Sequence, residues 1–219
     1  MARFAAVIFD MDGVLIDSEP LHFAVANEVL SEVGQSLSRK ENEEFIGTTT
    51  EYFWDALIKR KGLPSTRAHW EARYDEVVLR LLARPQPAAS GVSELVRHLQ
   101  GLGVKLAVAS SSKRTWIDAT LLSIGLGDAF EAEAAGDEVP RGKPEPDIYV
   151  LAAERLGVLP DRCLAIEDSP NGVLSARRAG MAVLGVRTPY TAHLTLDGAQ
   201  LVVDSLTELD LRGDPFAGW

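Results

Sequence analysis

Residues 4–19 read Phe4-Ala5-Ala6-Val7-Ile8-Phe9-Asp10-Met11-Asp12-Gly13-Val14-Leu15-Ile16-Asp17-Ser18-Glu19. Ala5-Ala6-Val7-Ile8-Phe9 is a short, unbroken apolar run, the pattern of a strand buried on both faces. It leads straight into Asp10 and Asp12, two carboxylates at the point where the strand ends. Bringing them close costs free energy, because like charges repel and burial adds a desolvation penalty. A counter-cation removes much of that cost, and Mg2+ takes carboxylate oxygens readily. A lone Asp-x-Asp is otherwise a common solvated turn, so the rest of the chain has to give the pair its meaning.

Apolar runs recur at 105–109, 163–166, 182–186 and 201–203, with a weaker one at 131–135. Between the later runs lie segments with apolar residues three and four apart. These are Val92-Leu95-Val96-Leu99-Leu102, Trp116-Ile117-Thr120-Leu121-Ile124, Ile148-Leu151-Ala152-Leu156 and Val173-Leu174-Ala176-Ala179. Gly101, Gly125, Gly157 and Gly180 follow them and read as helix stops. Uniformly apolar strands alternating with helices predict an α/β fold, a parallel sheet covered on both faces.

The alternation breaks once, directly after the first run. Residues 20–83 carry only helical stripes: Leu21-Val25-Ala26-Val29-Leu30-Val33, then Tyr52-Phe53-Ala56-Leu57 with Leu63, then Trp70-Tyr74-Val77-Val78-Leu81-Leu82. Arg84-Pro85-Gln86-Pro87 reads as an extended hinge, since proline restricts the residue before it. The predicted organisation is a core from residues 1–16 and 86–219, with an inserted α-helical cap domain at 17–85. Such a cap would lie over the C-terminal edge of the sheet, where open parallel sheets bind ligands.

The 219 residues suffice to bury a substantial core, and 46% hydrophobic with 25% charged residues is an ordinary globular composition. The net charge of -10 argues against nucleic acid or an anionic membrane as partner, because both ask for a basic surface. An anionic substrate would need a local positive site, such as a metal and a lysine. Cys163 is the single cysteine, so no internal disulfide forms and a reducing, cytoplasmic setting is expected. The apolar run after Met1-Ala2-Arg3 is too short for a signal-peptide core, and no stretch approaches the roughly 20 apolar residues of a membrane span.

Polar signals recur where the expected strands stop. Asp10 and Asp12 follow the first run, and Ser110, with Ser111, Ser112 and Lys113, follows the second. Lys143 lies in Gly142-Lys143-Pro144-Glu145-Pro146-Asp147, and Glu167-Asp168 follow Leu164-Ala165-Ile166 ahead of Ser169-Pro170-Asn171-Gly172. Singly, each has a plain structural reading. Ser110 would cap the next helix, Lys143 would be a surface lysine, and Asp168 or Ser169 would cap a helix whose first turn holds Pro170. Together, at the ends of parallel strands, they would converge on one edge. Carboxylates, a hydroxyl and an ammonium there suit phosphoryl transfer. One carboxylate attacks phosphorus, a divalent metal screens the repulsion, and a second carboxylate moves protons.

These same stretches resemble the four motifs of the haloacid dehalogenase superfamily. Asp10-Met11-Asp12-Gly13-Val14-Leu15-Ile16-Asp17-Ser18-Glu19 is similar to its first motif. Val108-Ala109-Ser110, Gly142-Lys143-Pro144 and Ile166-Glu167-Asp168-Ser169 are similar to the second, third and fourth. The resemblance implies a Rossmann-like core with a helical cap and Mg2+-dependent phosphatase or phosphomutase chemistry. It implies Asp10 as nucleophile, Asp12 as general acid and base, and Ser110, Ser111 and Lys143 at the phosphoryl group. It further implies a metal site from Asp10, Asp12 and Asp168, with Glu167 supporting Lys143 or the metal's waters. The acid at position 12 argues against dehalogenation, because the dehalogenases proper lack it.

Within the superfamily, Asp17-Ser18-Glu19-Pro20-Leu21-His22 and Glu167-Asp168-Ser169-Pro170-Asn171-Gly172 resemble the β-phosphoglucomutase-like phosphatases. His22 matches a hinge histidine that the resemblance couples to Asp12. The subgroup's mutases share a Lys-Gly-x-x-Arg segment in the cap, where this chain has Ile46-Gly47-Thr48-Thr49-Thr50. Gly47, Thr48 and Thr50 are the candidate cap contacts, and threonines leave a second phosphate's charge uncompensated. The expectation is hydrolysis of a small phosphorylated metabolite, a sugar or polyol phosphate. A sugar phosphomutase is the alternative and a catalytically silent binding module the remote one. A monomer or weak homodimer is expected, and the tail at 210–219, with Phe216 and Trp219, reads as docked or as an interface.

Overall fold

The first apolar run forms β1 (Ala6–Phe9) of the computed structural model, which describes residues 2–45 and 50–219. There follow α1 (Glu19–Ser31), α2 (Arg39–Glu43), α3 (Thr50–Lys61), α4 (Arg67–Leu82), α5 (Val92–Gly101) and β2 (Lys105–Ser110). The chain continues through α6 (Arg114–Ser123), β3 (Ala132–Ala135), α7 (Asp147–Leu156), β4 (Cys163–Glu167), α8 (Pro170–Arg178), β5 (Ala182–Val186) and β6 (Leu201–Val203). Two compact units result, Met1–Asp17 with Pro85–Trp219, and Ser18–Arg84.

The first unit is a parallel sheet in the order β3-β2-β1-β4-β5-β6. Successive side chains alternate between its faces, as the two-residue strand period requires. Val7, Phe9, Leu106, Val108, Leu164 and Ile166 face α5 and α6 in one core cluster. Ala6, Ile8, Ala107, Ala109, Cys163 and Ala165 face α7 and α8 in the other. Covered on both sides, the inner strands β1, β2 and β4 are apolar through their middles, which is why they read as continuous runs. The order reverses between β1 and β4, the switch point where such sheets open a crevice for ligands.

The tail docks within this unit. Phe216 is buried, Phe4, Phe216 and Trp219 meet edge to face, and Arg3 Nε donates to the Trp219 carbonyl at 2.9 Å. The helix through Val92 runs on through Gly101, and Gly103, with φ 72°, takes the left-handed turn expected of Gly101.

The second unit is wholly helical in its described residues. Val25, Ala26, Val29 and Leu30 of α1 are buried, as are Trp54 and Leu57 of α3 and Trp70, Tyr74, Val77, Val78 and Leu82 of α4. Trp54 stacks on Trp70 with ring centroids 5.9 Å apart, and Trp70 Nε1 donates to the Pro64 carbonyl. The short α2 has no buried residue and therefore no stripe to read. It is held by a capping box between Ser38 and Glu41.

Candidate active site

Register brings the two acidic strand ends together. Phe9 pairs with Val108 on one side and Ile166 on the other, and Asp10 N donates to the Ile166 carbonyl at 2.9 Å. Asp10 is thereby level with Glu167. Beyond it the chain turns sharply, with the Met11 carbonyl accepting from the amides of Val14, Leu15 and Ile16. Gly13 makes that turn with φ 82°, and a Cβ there would overlap the Asp168 carboxylate. Glycine at this position serves both the conformation and the close approach.

Lys143 is the hub. Its Nζ donates to Asp10 Oδ1 at 2.6 Å, to Glu167 Oε1 at 2.6 Å and to the Ala109 carbonyl at 3.1 Å. The lysine side chain is 7% exposed and Glu167 is fully buried, so this is a desolvated ion cluster and not a surface pair. Glu167 is gripped from all sides. The Tyr149 hydroxyl donates to Oε1 at 2.8 Å, and Asp168 N, Ser169 N and Ser169 Oγ donate to Oε2. Ser169 also caps α8, accepting from Gly172 N at 3.1 Å. A side chain at residue 172 would overlap the Glu167 carboxyl, so the helix start can approach this acid only because glycine stands there.

Three carboxylates, from Asp10, Glu167 and Asp168, offer ligand atoms within 4.8 Å of one another. Burial pushes Asp10 up to about 7, with Lys143 pulling it down and Glu167 and Asp12 pushing it further up. Burial likewise pushes Asp168 up to about 9, reinforced by Asp10 and Glu167. Burial works to lower Lys143, but the charges of Asp10 and Glu167 outweigh it and hold the ammonium above its ordinary range. Three buried acids against one ammonium is a site short of positive charge, and its hard oxygen donors suit Mg2+.

The serine run after β2 takes separate positions. Ser110 is buried and its Oγ accepts from Ser112 N at 3.1 Å, while Ser111 is exposed. Ser110 does not cap the following helix, whose N-cap residue is Lys113. Ser112 Oγ donates to Asp12 Oδ2 at 3.0 Å. Among the described residues the acidic trio that converges is Asp10, Glu167 and Asp168, and the partly exposed Asp12 turns its carboxylate to Ser112.

In the helical unit, His22 Nδ1 is 2.8 Å from the Tyr74 hydroxyl and the two rings stack 7° from parallel. Thr50 is exposed at the start of α3. Gly47 and Thr48 lie outside the described residues. Nothing in the sequence singles out Tyr149, which reads as one more core position on α7, or distinguishes Ser112 from its serine neighbours. Only the buried hydroxyl of Tyr149 marks it as more than packing, since a buried phenol needs a partner.

A family model for haloacid dehalogenase-like hydrolases matches residues 4–180. Hexitol phosphatase B of Escherichia coli is 34% identical over 96% of this chain and 96% of its own length. A phosphorylated carbohydrates phosphatase of Thermotoga maritima is 32% identical over 90% of this chain and 89% of its own. The crystal structure of CbbY from Rhodobacter sphaeroides in complex with phosphate superposes with a TM-score of 0.85 at 31% identity, covering 94% of this chain and 96% of that one.

Proposed function

The chain belongs to the haloacid dehalogenase-like hydrolase family as a phosphoric monoester hydrolase, and from that premise we propose that it hydrolyses a small sugar or polyol phosphate through an aspartyl-phosphate on Asp10. The observation that carries this reading is the buried Lys143 ammonium, 2.6 Å from both Asp10 and Glu167. Glu167, saturated by its donors, fixes that cation beside the carboxylate that attacks.

In the first step an Asp10 carboxylate oxygen bonds to phosphorus, the ester O–P bond breaks, and Asp12 gives its proton to the departing alkoxide. In the second, Asp12 takes a proton from water as the water oxygen bonds to phosphorus. The Asp10 O–P bond then breaks, releasing the carboxylate and inorganic phosphate. Lys143 stabilises the equatorial oxygens. The Ser110 hydroxyl accepts from Ser112 N, which leaves its own hydrogen to donate to a phosphoryl oxygen. Asp10 and Asp168, with Glu167 behind them, would hold Mg2+, which when bound offsets their charge and draws in the phosphate dianion.

The helical unit acts as the cap that selects the substrate. Ile46-Gly47-Thr48-Thr49-Thr50 offers no cation for a second phosphate, which favours hydrolysis over mutase chemistry. The names of the hexitol and carbohydrate phosphatases point to the same ester class for this chain. Asp10→Asn should reduce Mg2+-dependent hydrolysis of 4-nitrophenyl phosphate to background and abolish acid-stable phosphoryl labelling of the protein. Full turnover in that variant would sink the nucleophile assignment. Interconversion of β-glucose 1-phosphate and glucose 6-phosphate by the native protein would replace hydrolase with mutase.

A further inference from the structure

Ser112 stands between the two halves of the chemistry, and the reaction steps proposed for Asp10 and Asp12 give its side chain no part. Its backbone amide donates to Ser110 Oγ at 3.1 Å, and its hydroxyl donates to Asp12 Oδ2 at 3.0 Å. Its carbonyl accepts from Gly136 N at 2.9 Å, which ties the segment to the turn after β3. A Cβ at residue 136 would overlap the Ser111 carbonyl, so the two segments lie in backbone contact. Arg114 adds a second tie, donating to the Glu133 and Glu138 carboxylates at 2.7 Å and to the Glu133 carbonyl at 2.8 Å. The Ser112 hydroxyl is therefore presented from a fixed backbone, which is what a group that orients another side chain requires.

We propose that Ser112 is a positioning residue for Asp12: its hydroxyl fixes the rotation of the Asp12 carboxylate, and its amide sets Ser110, so that acid and phosphoryl site are held in register by one residue. This rests on the assignment of Asp12 as general acid. Proton donation matters most when the leaving alkoxide is basic, so a misaligned Asp12 should penalise alkyl esters and spare activated aryl esters.

The test is single-turnover phosphoryl transfer with glycerol 2-phosphate and with 2,4-dinitrophenyl phosphate, in the full chain with Mg2+. Ser112→Ala should slow the alkyl ester by about 10- to 100-fold, the span expected for losing a hydrogen bond to a charged group. The aryl ester should lose less than about threefold, KM for the alkyl ester should stay within about twofold, and Ser112→Thr should restore the rate. Equal losses on both esters, or no loss on either, would overturn the proposal. Ser112→Cys, which keeps the side-chain size and weakens the donor, is read the same way if the alanine variant does not fold. Asp12→Asn is the reference. If it too fails to separate the esters, the acid assignment falls and the Ser112 role with it. If it separates them and Ser112→Ala does not, only the Ser112 role falls.

Discussion

Asp10 and Asp12 are two residues apart and occupy opposite surroundings. Asp10 is buried at the end of a central strand, pressed against an ammonium and two further acids. Asp12, one turn of backbone on, is partly exposed and meets a neutral hydroxyl. The strand end supplies the first environment, because the register of β1 against β4 forces Asp10 beside Glu167. The tight turn after Met11 supplies the second by turning the chain away from the sheet. The difference suits the two roles proposed for these acids. A nucleophile benefits from fixed counter-charge, whereas a group that moves protons benefits from an environment that does not lock it in one charge state.

The largest effect should come from removing the cation that defines the buried side. Lys143→Met leaves Asp10 and Glu167 facing each other with no ammonium, and breaking a buried pair in this way costs about 3–5 kcal/mol. Denaturant unfolding should show that loss, and hydrolysis should fall with it. An unchanged unfolding midpoint would mean that the cluster is not the desolvated network described above.

A second effect follows from the raised acids. Ordinary aspartate ionises near 3.8, while Asp10 and Asp168 hold their protons to about 7 and about 9. Between those limits the unfolded chain binds fewer protons than the folded one, so metal-free stability should fall as pH rises from about 4 to about 9. Mg2+ should oppose that fall, raising Tm more at about pH 8.5 than at about pH 5.5. An equal rise at both pH values would separate the metal from these carboxylates. The smallest effect is expected from Tyr149→Phe, which removes one buried donor to Glu167 at a cost of about 1.5–3 kcal/mol, read by the same unfolding measurement. Hydrolysis should weaken but persist, since Lys143 keeps its other contacts.

The strands and most helices were legible because double-sided burial writes itself as apolar runs and one-sided burial as a stripe. The acidic and basic strand ends were legible for the same reason: polar residues abutting such runs have to be explained. Tyr149 was not, because its ring packs like its neighbours on α7 and only the hydroxyl differs. Ser110, Ser111 and Ser112 are identical letters whose separate surroundings are set by a backbone turn that leaves no mark on composition. The short α2 buries nothing, so its capping box at Ser38 and Glu41 was its only trace.

The chain departs from the sheet unit after Asp17 and rejoins it at Pro85, and near those points the Ala89 amide donates to the Leu15 carbonyl at 2.9 Å. Exit and return are thus stapled within the sheet unit itself, and the helices between them pack around their own aromatic centre. In evolutionary terms, residues 18–84 form a cassette. A lineage can rewrite that segment, lengthening or replacing it, while the loop that receives it stays closed. On the proposed role of that segment, descent from one ancestor can then diversify which molecule is accepted without re-inventing the reaction.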